Sequence, residues 1–284
     1  MTPYAEVIGS PVAQSKSPAI HRFWLQKLEI DADYRATEVP GEELSGYLER
    51  QRDDPHWRGC NVTMPLKQIV LPLLDHVTAG ASAVGAVNTV VRADRGALTG
   101  HNTDAGGFVE PLAPLLAERH WLRMARVIGT GGAARAIVHA LAQHGFIIVL
   151  AGRDPAKARA LLRQVAPDSE HHTPPLEHFA SATDFAFDDR EGCLDLVINA
   201  SALGMCDHPP LHFDWSHAPP GAIAYDIVTD PVQTTFLSRA EAAGHRTIDG
   251  LAMLIGQAAA AFELFFGRPA PRQHDVELRA LLTR

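Results

Sequence analysis

Cysteine is scarce in this chain. Three occur among 284 residues, at Cys60, Cys193 and Cys206. Their odd number and wide spacing exclude a disulfide framework and fit reduced thiols. HExxH and CxxC patterns are absent. There are fifteen histidines, but His208 and His212 are separated by Pro209-Pro210, which cannot present two imidazoles on one helix face, so no metal is expected. Basic excess is lacking as well: the net charge is -8, which argues against a nucleic-acid binder. No apolar run reaches the roughly 18 residues of a membrane helix. No N-terminal stretch pairs basic residues with an apolar run, so no secretion signal and a cytoplasmic location are expected. Asn61-Val-Thr63 and Asn199-Ala-Ser201 match the glycosylation sequon, and without a secretion signal the matches carry no weight.

What remains is the composition of an ordinary soluble globular protein, 46% hydrophobic and 20% charged, long enough for one large or two modest domains. "YAEVIGSP" reads as a buried strand ending at Gly9-Ser10-Pro11. "SPAIHRFWLQKL" reads as a helix with Ser17 as N-cap and Pro18 at the first helical position. "DYRATEV" alternates like a strand, "GEELSGYLERQR" has helical spacing, "GCNVT" is the next strand and "PLKQIVLPLLD" the next helix. This βα rhythm implies a mostly parallel sheet covered by helices. "AVNTVVRADRGALTGHNTD" then predicts a hairpin turning at Asp94-Arg95-Gly96, and "AGGFVEPLAPLLAERH" a helix interrupted by prolines. A second βα series begins at "ARVIGTGGAARAIVHALAQHG" and continues through "FIIVLAGRDPAKARALLRQV", with further strands at "LDLVINAS" and "AIAYDIV". The stretch from Pro167 to Pro175 is the most loop-like region. "GLAMLIGQAAAAFELFF" is apolar on most sides and reads as a buried helix. Two such series separated by a hairpin predict two α/β domains.

"VIGTGGAAR" places Gly129, Gly131 and Ala134 in a G-x-G-x-x-G/A pattern between a strand and a helix. That context makes it a dinucleotide-binding turn, with the helix N–H groups facing phosphates. The end of the following strand, where an NAD-binding chain carries Asp or Glu, reads "LAGRDPAK". Arg153 and Lys157 there suit a 2′-phosphate and favour NADP. Asp154 stands between them, able to pair Arg153 or to accept from a 2′-hydroxyl, and an exposed helix start accounts for the two cations as well. In the first half, Ser15, Ser17, Asn61, Thr63, Lys67, Asn88 and Asp104 fall at strand-to-helix junctions, where ligands bind in α/β sheets. Each has a plainer reading: Ser17 as an N-cap, Asn88 as a strand-end turn, Asp104 as a helix cap, Lys67 as a solvated lysine. Together they would line a polar pocket suited to a small polyhydroxylated acid.

The chain resembles the shikimate dehydrogenase family. The resemblance rests on "VIGSPVAQSKSPAIH", "GCNVTMPLK", "GAVNTVV", "HNTDAGGF", "VIGTGGAARA", "VINASALGM" and "DGLAMLIGQAAAAF", spread over nearly the whole length. It implies an α/β fold of two domains separated by a cleft. An N-terminal substrate domain covers 1–103, a Rossmann-like NADP-binding domain 104–249, and C-terminal helices over 250–284 return to the first domain. It implies reversible reduction of 3-dehydroshikimate to shikimate, with an NAD-preferring quinate/shikimate dehydrogenase as the alternative, in a monomer or homodimer. By this resemblance Lys67 is catalytic with Asp104 as its partner. Ser15, Ser17, Asn61, Thr63, Asn88, Asp104 and Gln257 contact the substrate. Gly129, Thr130, Gly131, Gly132, Ala133 and Ala134 match the phosphate turn, Gly152, Arg153, Asp154 and Lys157 the adenosine-phosphate loop, and Ile227 and Gly250 positions near the nicotinamide. Two residues depart from the family pattern. Gly152 replaces a common Asn. Thr229 replaces a tyrosine that contacts substrate, and its hydroxyl reaches less far.

Overall fold

The computed structural model describes residues 2–187 and 190–283. The chain divides into two compact units. One runs to Gly107 and resumes at Ile255, and the other spans Phe108–Leu254.

In chain order the first unit contains β1 (Tyr4–Gly9), α1 (Ser17–Lys27), β2 (Asp33–Glu38), α2 (Leu44–Arg52), β3 (Trp57–Val62), β4 (His76–Val77), α3 (Ala79–Val84), β5 (Thr89–Arg92) and β6 (Leu98–His101). Its strands lie in the order β2-β1-β3-β5-β6-β4. All neighbours are parallel except β5, which runs antiparallel to both β3 and β6. The reversal is the expected hairpin: Arg95 and Gly96 adopt φ 59° and 79° and turn the chain between β5 and β6. One sheet face carries Ile8, Leu44, Leu48, Trp57, Val62 and Leu66 in a single apolar core. Each such side chain, fully buried, contributes about 1.5–3 kcal/mol.

Two expectations fail here. The helix predicted over "PLKQIVLPLLD" is a series of turns followed by a short 3-10 segment, Leu71–Leu73. A helix needs the Leu71 N–H on the Lys67 carbonyl. That carbonyl instead accepts from the Val87 N–H at 2.8 Å, and the Leu71 N–H turns to Gln68 at 3.4 Å. Pro72 adds no donor to rescue the ladder. Ser17 is not an N-cap either. It is the first residue of α1, and Lys16 occupies the cap position without a side-chain bond.

The second unit holds β7 (Leu122–Ile128), α6 (Gly132–Gln143), β8 (Ile147–Ala151), α7 (Pro155–Val165), β9 (His171–His172), β10 (Cys193–Asn199), β11 (Ile223–Asp226), α8 (Thr235–Ala242) and β12 (Arg246–Ile248). Ahead of β7 come the short helices α4 (Asp104–Val109), which crosses from the first unit into the second, and α5 (Ala113–Ala117), with prolines between and within them. The loop-like region from Pro167 to Pro175 contributes β9, which pairs with β8. The sheet order is β12-β11-β10-β7-β8-β9, all parallel. Read from the other edge in sequence order, this is 3-2-1-4-5-6, the arrangement of dinucleotide-binding sheets. Strands buried on both faces need continuous apolar runs, and Leu196, Val197 and Ile198 supply one in β10. The final helices are α9 (Gly250–Phe266), which passes from the second unit into the first, and α10 (Asp275–Leu282). No helix among the described residues is long and apolar enough to cross a membrane.

Candidate active site

In the first unit, the turn after β3 brings Lys67 against Asp104. The lysine Nζ donates to the Asp104 Oδ2 at 2.5 Å, with the two side chains 15% and 6% exposed. The turn is held in place by the same bond that prevents a helix there, Val87 N–H to the Lys67 carbonyl. Residues 86–89 therefore fix the lysine backbone and also supply the next site residue, Asn88. Asp104 is the first residue of α4. Asn102, whose Oδ1 accepts from the Ala105 N–H at 3.3 Å, takes the capping role. That leaves both Asp104 oxygens to side chains: Oδ2 to Lys67, Oδ1 to the Asn88 amide Nδ2 at 2.9 Å.

Asn88 Nδ2 also reaches the Thr103 hydroxyl at 2.8 Å and Gln257 Oε1 at 3.3 Å. Lys67, Asp104, Asn88 and Gln257 thus form one contiguous polar group, with Gln257 supplied by α9. Asn61 adjoins it. Its Oδ1 accepts from the Tyr34 hydroxyl at 2.6 Å, and its Nδ2 donates to the Asn88 carbonyl and the Thr89 hydroxyl. Both ends of that buried amide are thereby engaged by protein partners. Ser17 is buried, and Ser15 accepts from the Ser17 N–H at 3.3 Å. Thr63 follows directly on β3, its N–H held by the Ile8 carbonyl at 2.9 Å.

The second unit presents a cofactor-shaped turn. Gly129 has φ 123°, and a Cβ there would stand 2.4 Å from the Ala200 carbonyl oxygen. Only glycine satisfies both conditions. Over Gly131 a Cβ would meet nothing within 4 Å, so the space that a phosphate would occupy is open. The N-terminus of the 12-residue α6 carries no side-chain cap, so no cap residue competes with a phosphate for its first N–H groups. Ala134 is fully buried and lets α6 lie close on the sheet. Beside the turn is a pocket of about 380 Å³ lined by Thr130, Arg153, Asp154 and Lys157. The carboxylate of Asp154 caps α7, accepting from the N–H groups of Ala156 at 2.8 Å and Lys157 at 3.3 Å. It pairs with neither cation. Among the described residues no ion pair engages Arg153 or Lys157. These features fit a dinucleotide whose adenosine end carries a phosphate.

At the other end of the sheet, Gly250 opens α9 against the Ile227–Val228 backbone. A Cβ there would lie 2.2 Å from the Val228 oxygen. Ile227 and Gly250 are thereby neighbours, and the half-buried Thr229 follows in the same loop. That loop is tied down by residues to which the sequence assigned no role. Asp226 accepts from Asn199 Nδ2 at 3.0 Å, the Val228 N–H at 3.0 Å and the Thr234 hydroxyl at 2.7 Å. Burial raises the Asp226 carboxyl above its ordinary range, and these three bonds oppose the rise. The available signal was an Asn and an Asp closing the apolar strands "LDLVIN" and "IAYD". In the first unit Tyr34, Thr89 and Thr103 were missed in the same way, as hydroxyls in strand-like or loop-like surroundings. Among the described residues no group of three or more His, Cys, Asp or Glu could hold a metal.

Known proteins share this organisation. The family model described as the shikimate dehydrogenase substrate binding domain matches residues 7–90, and the shikimate 5'-dehydrogenase C-terminal domain matches residues 250–275. A shikimate dehydrogenase (NADP(+)) of Sphingopyxis alaskensis is 48% identical over 283 residues, covering 99% of this chain and 97% of that protein. The shikimate 5-dehydrogenase of Thermus thermophilus, solved in complex with NADP(H) and shikimate, is 34% identical with a TM-score of 0.82, covering 99% of both chains. A quinate dehydrogenase of Corynebacterium glutamicum solved with NAD is 31% identical, with a TM-score of 0.83 and 99% of both chains covered. By identity along its whole length and by fold, the chain belongs to the shikimate dehydrogenase family.

Proposed function

We propose that this chain is an NADP-dependent shikimate dehydrogenase, interconverting 3-dehydroshikimate and shikimate in the shikimate pathway. The observation that carries the reading is the Lys67–Asp104 pair, 2.5 Å apart and joined to Asn88 at the strand ends of the first unit. On this reading the first unit holds the substrate and the second the cofactor. The Gly129–Ala134 turn with Arg153 and Lys157 would hold NADP(H), which would supply the hydride exchanged with the substrate carbonyl carbon. The protein manages the accompanying proton. Negative charge develops on the carbonyl oxygen, and the Lys67 ammonium donates a proton to it and stabilises that charge. In the oxidative direction the Lys67 amine takes the alcohol proton. Asp104 aims the lysine with one oxygen while Asn88 holds the other. Ser15, Ser17, Thr63 and Gln257 orient the hydroxyls and carboxylate of the substrate. Asn61 Oδ1, which accepts from Tyr34 alone, keeps a second lone pair for a substrate hydroxyl.

The test is spectrophotometric: purified protein with shikimate and NADP+ produces NADPH, and Lys67→Ala protein does not at a comparable rate. Absence of shikimate-dependent reduction in the parent overturns the reading. Thr229 makes quinate the informative competitor. A kcat/KM for quinate with NAD above that for shikimate with NADP assigns the chain to the alternative reaction.

Cofactor choice carries its own prediction. Arg153→Ala raises the KM for NADP about tenfold or more and leaves that for NAD nearly unchanged, because a charge-assisted bond to a phosphate is worth roughly 1.5–3 kcal/mol. The capping carboxylate of Asp154 stays in place in that variant. Equal loss with both cofactors would mean that Arg153 supports the loop rather than reading the 2′-phosphate. We also propose a cytoplasmic enzyme, as monomer or homodimer, that binds neither nucleic acid nor membrane. Size-exclusion chromatography with light scattering resolves the oligomeric state.

A further inference from the structure

Five buried side chains of the first unit form one directed line of hydrogen bonds. The Tyr34 hydroxyl donates to Asn61 Oδ1 at 2.6 Å, and Asn61 Nδ2 donates to the Thr89 hydroxyl at 3.0 Å. That hydroxyl donates to Asn88 Oδ1 at 3.1 Å, and Asn88 Nδ2 donates to Asp104 Oδ1 at 2.9 Å. The line ends where Lys67 meets the other Asp104 oxygen. Tyr34 and Thr89 are fully buried, and Asn61, Asn88 and Asp104 nearly so.

Its direction is not free to reverse, because two backbone groups fix it. The Asn88 carbonyl can only accept. It takes the Val62 N–H at 2.7 Å and Asn61 Nδ2 at 3.3 Å, so the Asn61 oxygen must point to Tyr34. The Thr103 N–H can only donate. It meets Asn88 Oδ1 at 2.8 Å, so the Asn88 nitrogen must point to Asp104. The Thr89 hydroxyl joins the two amides: it accepts from Asn61 and therefore gives its single proton to Asn88. Strand pairing puts it there, since Thr89 stands opposite Asn61 in the β3–β5 register.

We propose that Thr89 and Tyr34 are positioning residues for the reaction. Through the two amides they hold the Asp104 carboxylate in the orientation that aims Lys67. The inference rests on the dehydrogenase reading of the site. Neither residue touches the reacting atoms. Removing the Thr89 hydroxyl leaves the Asn61 Nδ2 with one partner fewer and the Asn88 oxygen short of one donor, so the Asn88 amide gains freedom that Asp104 inherits.

The test is steady-state kinetics on the full-length enzyme, joined to side-chain amide exchange by NMR. Thr89→Val, which keeps the shape and loses the hydroxyl, lowers kcat about tenfold with the KM for shikimate changed by less than about twofold. Thr89→Ser, which restores the hydroxyl, stays within about twofold of the parent kcat. Tyr34→Phe breaks the line two links earlier, keeps the ring, and lowers kcat in the same direction. Because both changes cut one line, the double variant falls no further than Thr89→Val alone. In the parent the Asn61 and Asn88 side-chain amides are protected from exchange, and in Thr89→Val that protection drops. Parental kcat in Thr89→Val and Tyr34→Phe, equal losses in Thr89→Val and Thr89→Ser, or unprotected amides in the parent each overturn the inference. Protected amides in a parent without shikimate-dependent NADPH formation overturn the reaction assigned to the site, and with it the role given to the line. If Thr89→Val does not fold, Tyr34→Phe decides by the same readouts.

Discussion

Lys67→Ala lowers kcat by about 10²-fold or more, the scale of losing a general acid/base, while the KM for shikimate changes far less. The lysine meets no other protein charge than Asp104 in the ion pairs of the described residues, and its carbonyl, not its ammonium, holds the turn to Val87. Truncating the side chain therefore leaves the backbone of the turn intact. What it does leave is a buried carboxylate with one oxygen unpaired, which costs stability. Asn88 still holds the other oxygen, so a measured unfolding midpoint separates that cost from the catalytic one. Asp104→Asn is the complementary change. Lys67 Nζ and Asn88 Nδ2 both donate to the carboxylate, and an amide can accept on one side only. Whichever way the new side chain turns, its NH2 faces a donor. A kcat loss of roughly tenfold or more is expected, with the protein still folded. Near-parental kcat in Lys67→Ala removes the lysine from the chemistry.

The catalytic pair shows what one sequence can and cannot disclose. Lys67 and Asp104 stand 37 residues apart, and each on its own reads as a solvated lysine and a helix cap. Their meeting depends on β5 and β6 folding back beside β3, which the Asp94-Arg95-Gly96 turn signals plainly. The glycine turn at Gly129–Gly131 was legible for a different reason: its spacing encodes a local backbone shape, strand to turn to helix, with little tertiary help. Asp154 was ambiguous because capping, pairing and ribose binding all want a carboxylate at a helix start. Its Oδ1 accepts from the Ala156 and Lys157 N–H groups, which makes it a cap that pairs neither cation and leaves Oδ2 for a ribose hydroxyl. The failed helix after Pro65 shows the opposite limit. Local propensity and spacing supported it, and a single long-range bond from Val87 took the carbonyl that the helix required. Thr89 and Tyr34 were invisible as site residues because a hydroxyl in a strand is favoured there for shape alone. Only the register with Asn61 gives the Thr89 hydroxyl its role.

Acidification from pH 7 to 4.5 costs the first unit roughly 2–3 kcal/mol through His21 alone, on the order of a hundredfold in its folding equilibrium. His21 lies in α1 with no exposed surface, stacked on Tyr34 at 4.0 Å and 6° and close to Trp24 and Phe262. Neither ring nitrogen has a hydrogen-bond partner among the described residues. Burial pushes its pKa down to about 3, against about 6.5 for an open imidazole. The folded value is the lower one. Between those two pH values the unfolded chain binds a proton that the native chain refuses, so stability is present above about 6.5 and falls as the pH drops, by roughly 1.4 kcal/mol per unit. Two units below the open value give the figure above. Asp226, whose folded carboxyl is raised, acts with the opposite sign, its contribution lost as the pH rises, but it belongs to the second unit. His21→Phe isolates the effect. The ring stays against Tyr34, and two orphaned polar atoms leave the core, so at pH 7 the variant is as stable as the parent or more so. Urea unfolding of both proteins at pH 7 and 4.5 reads the difference directly. The variant gains on the parent by roughly 2–3 kcal/mol on acidification. A gap independent of pH would mean that the imidazole finds a proton-accepting partner in solution, and that the core around Tyr34 opens to water.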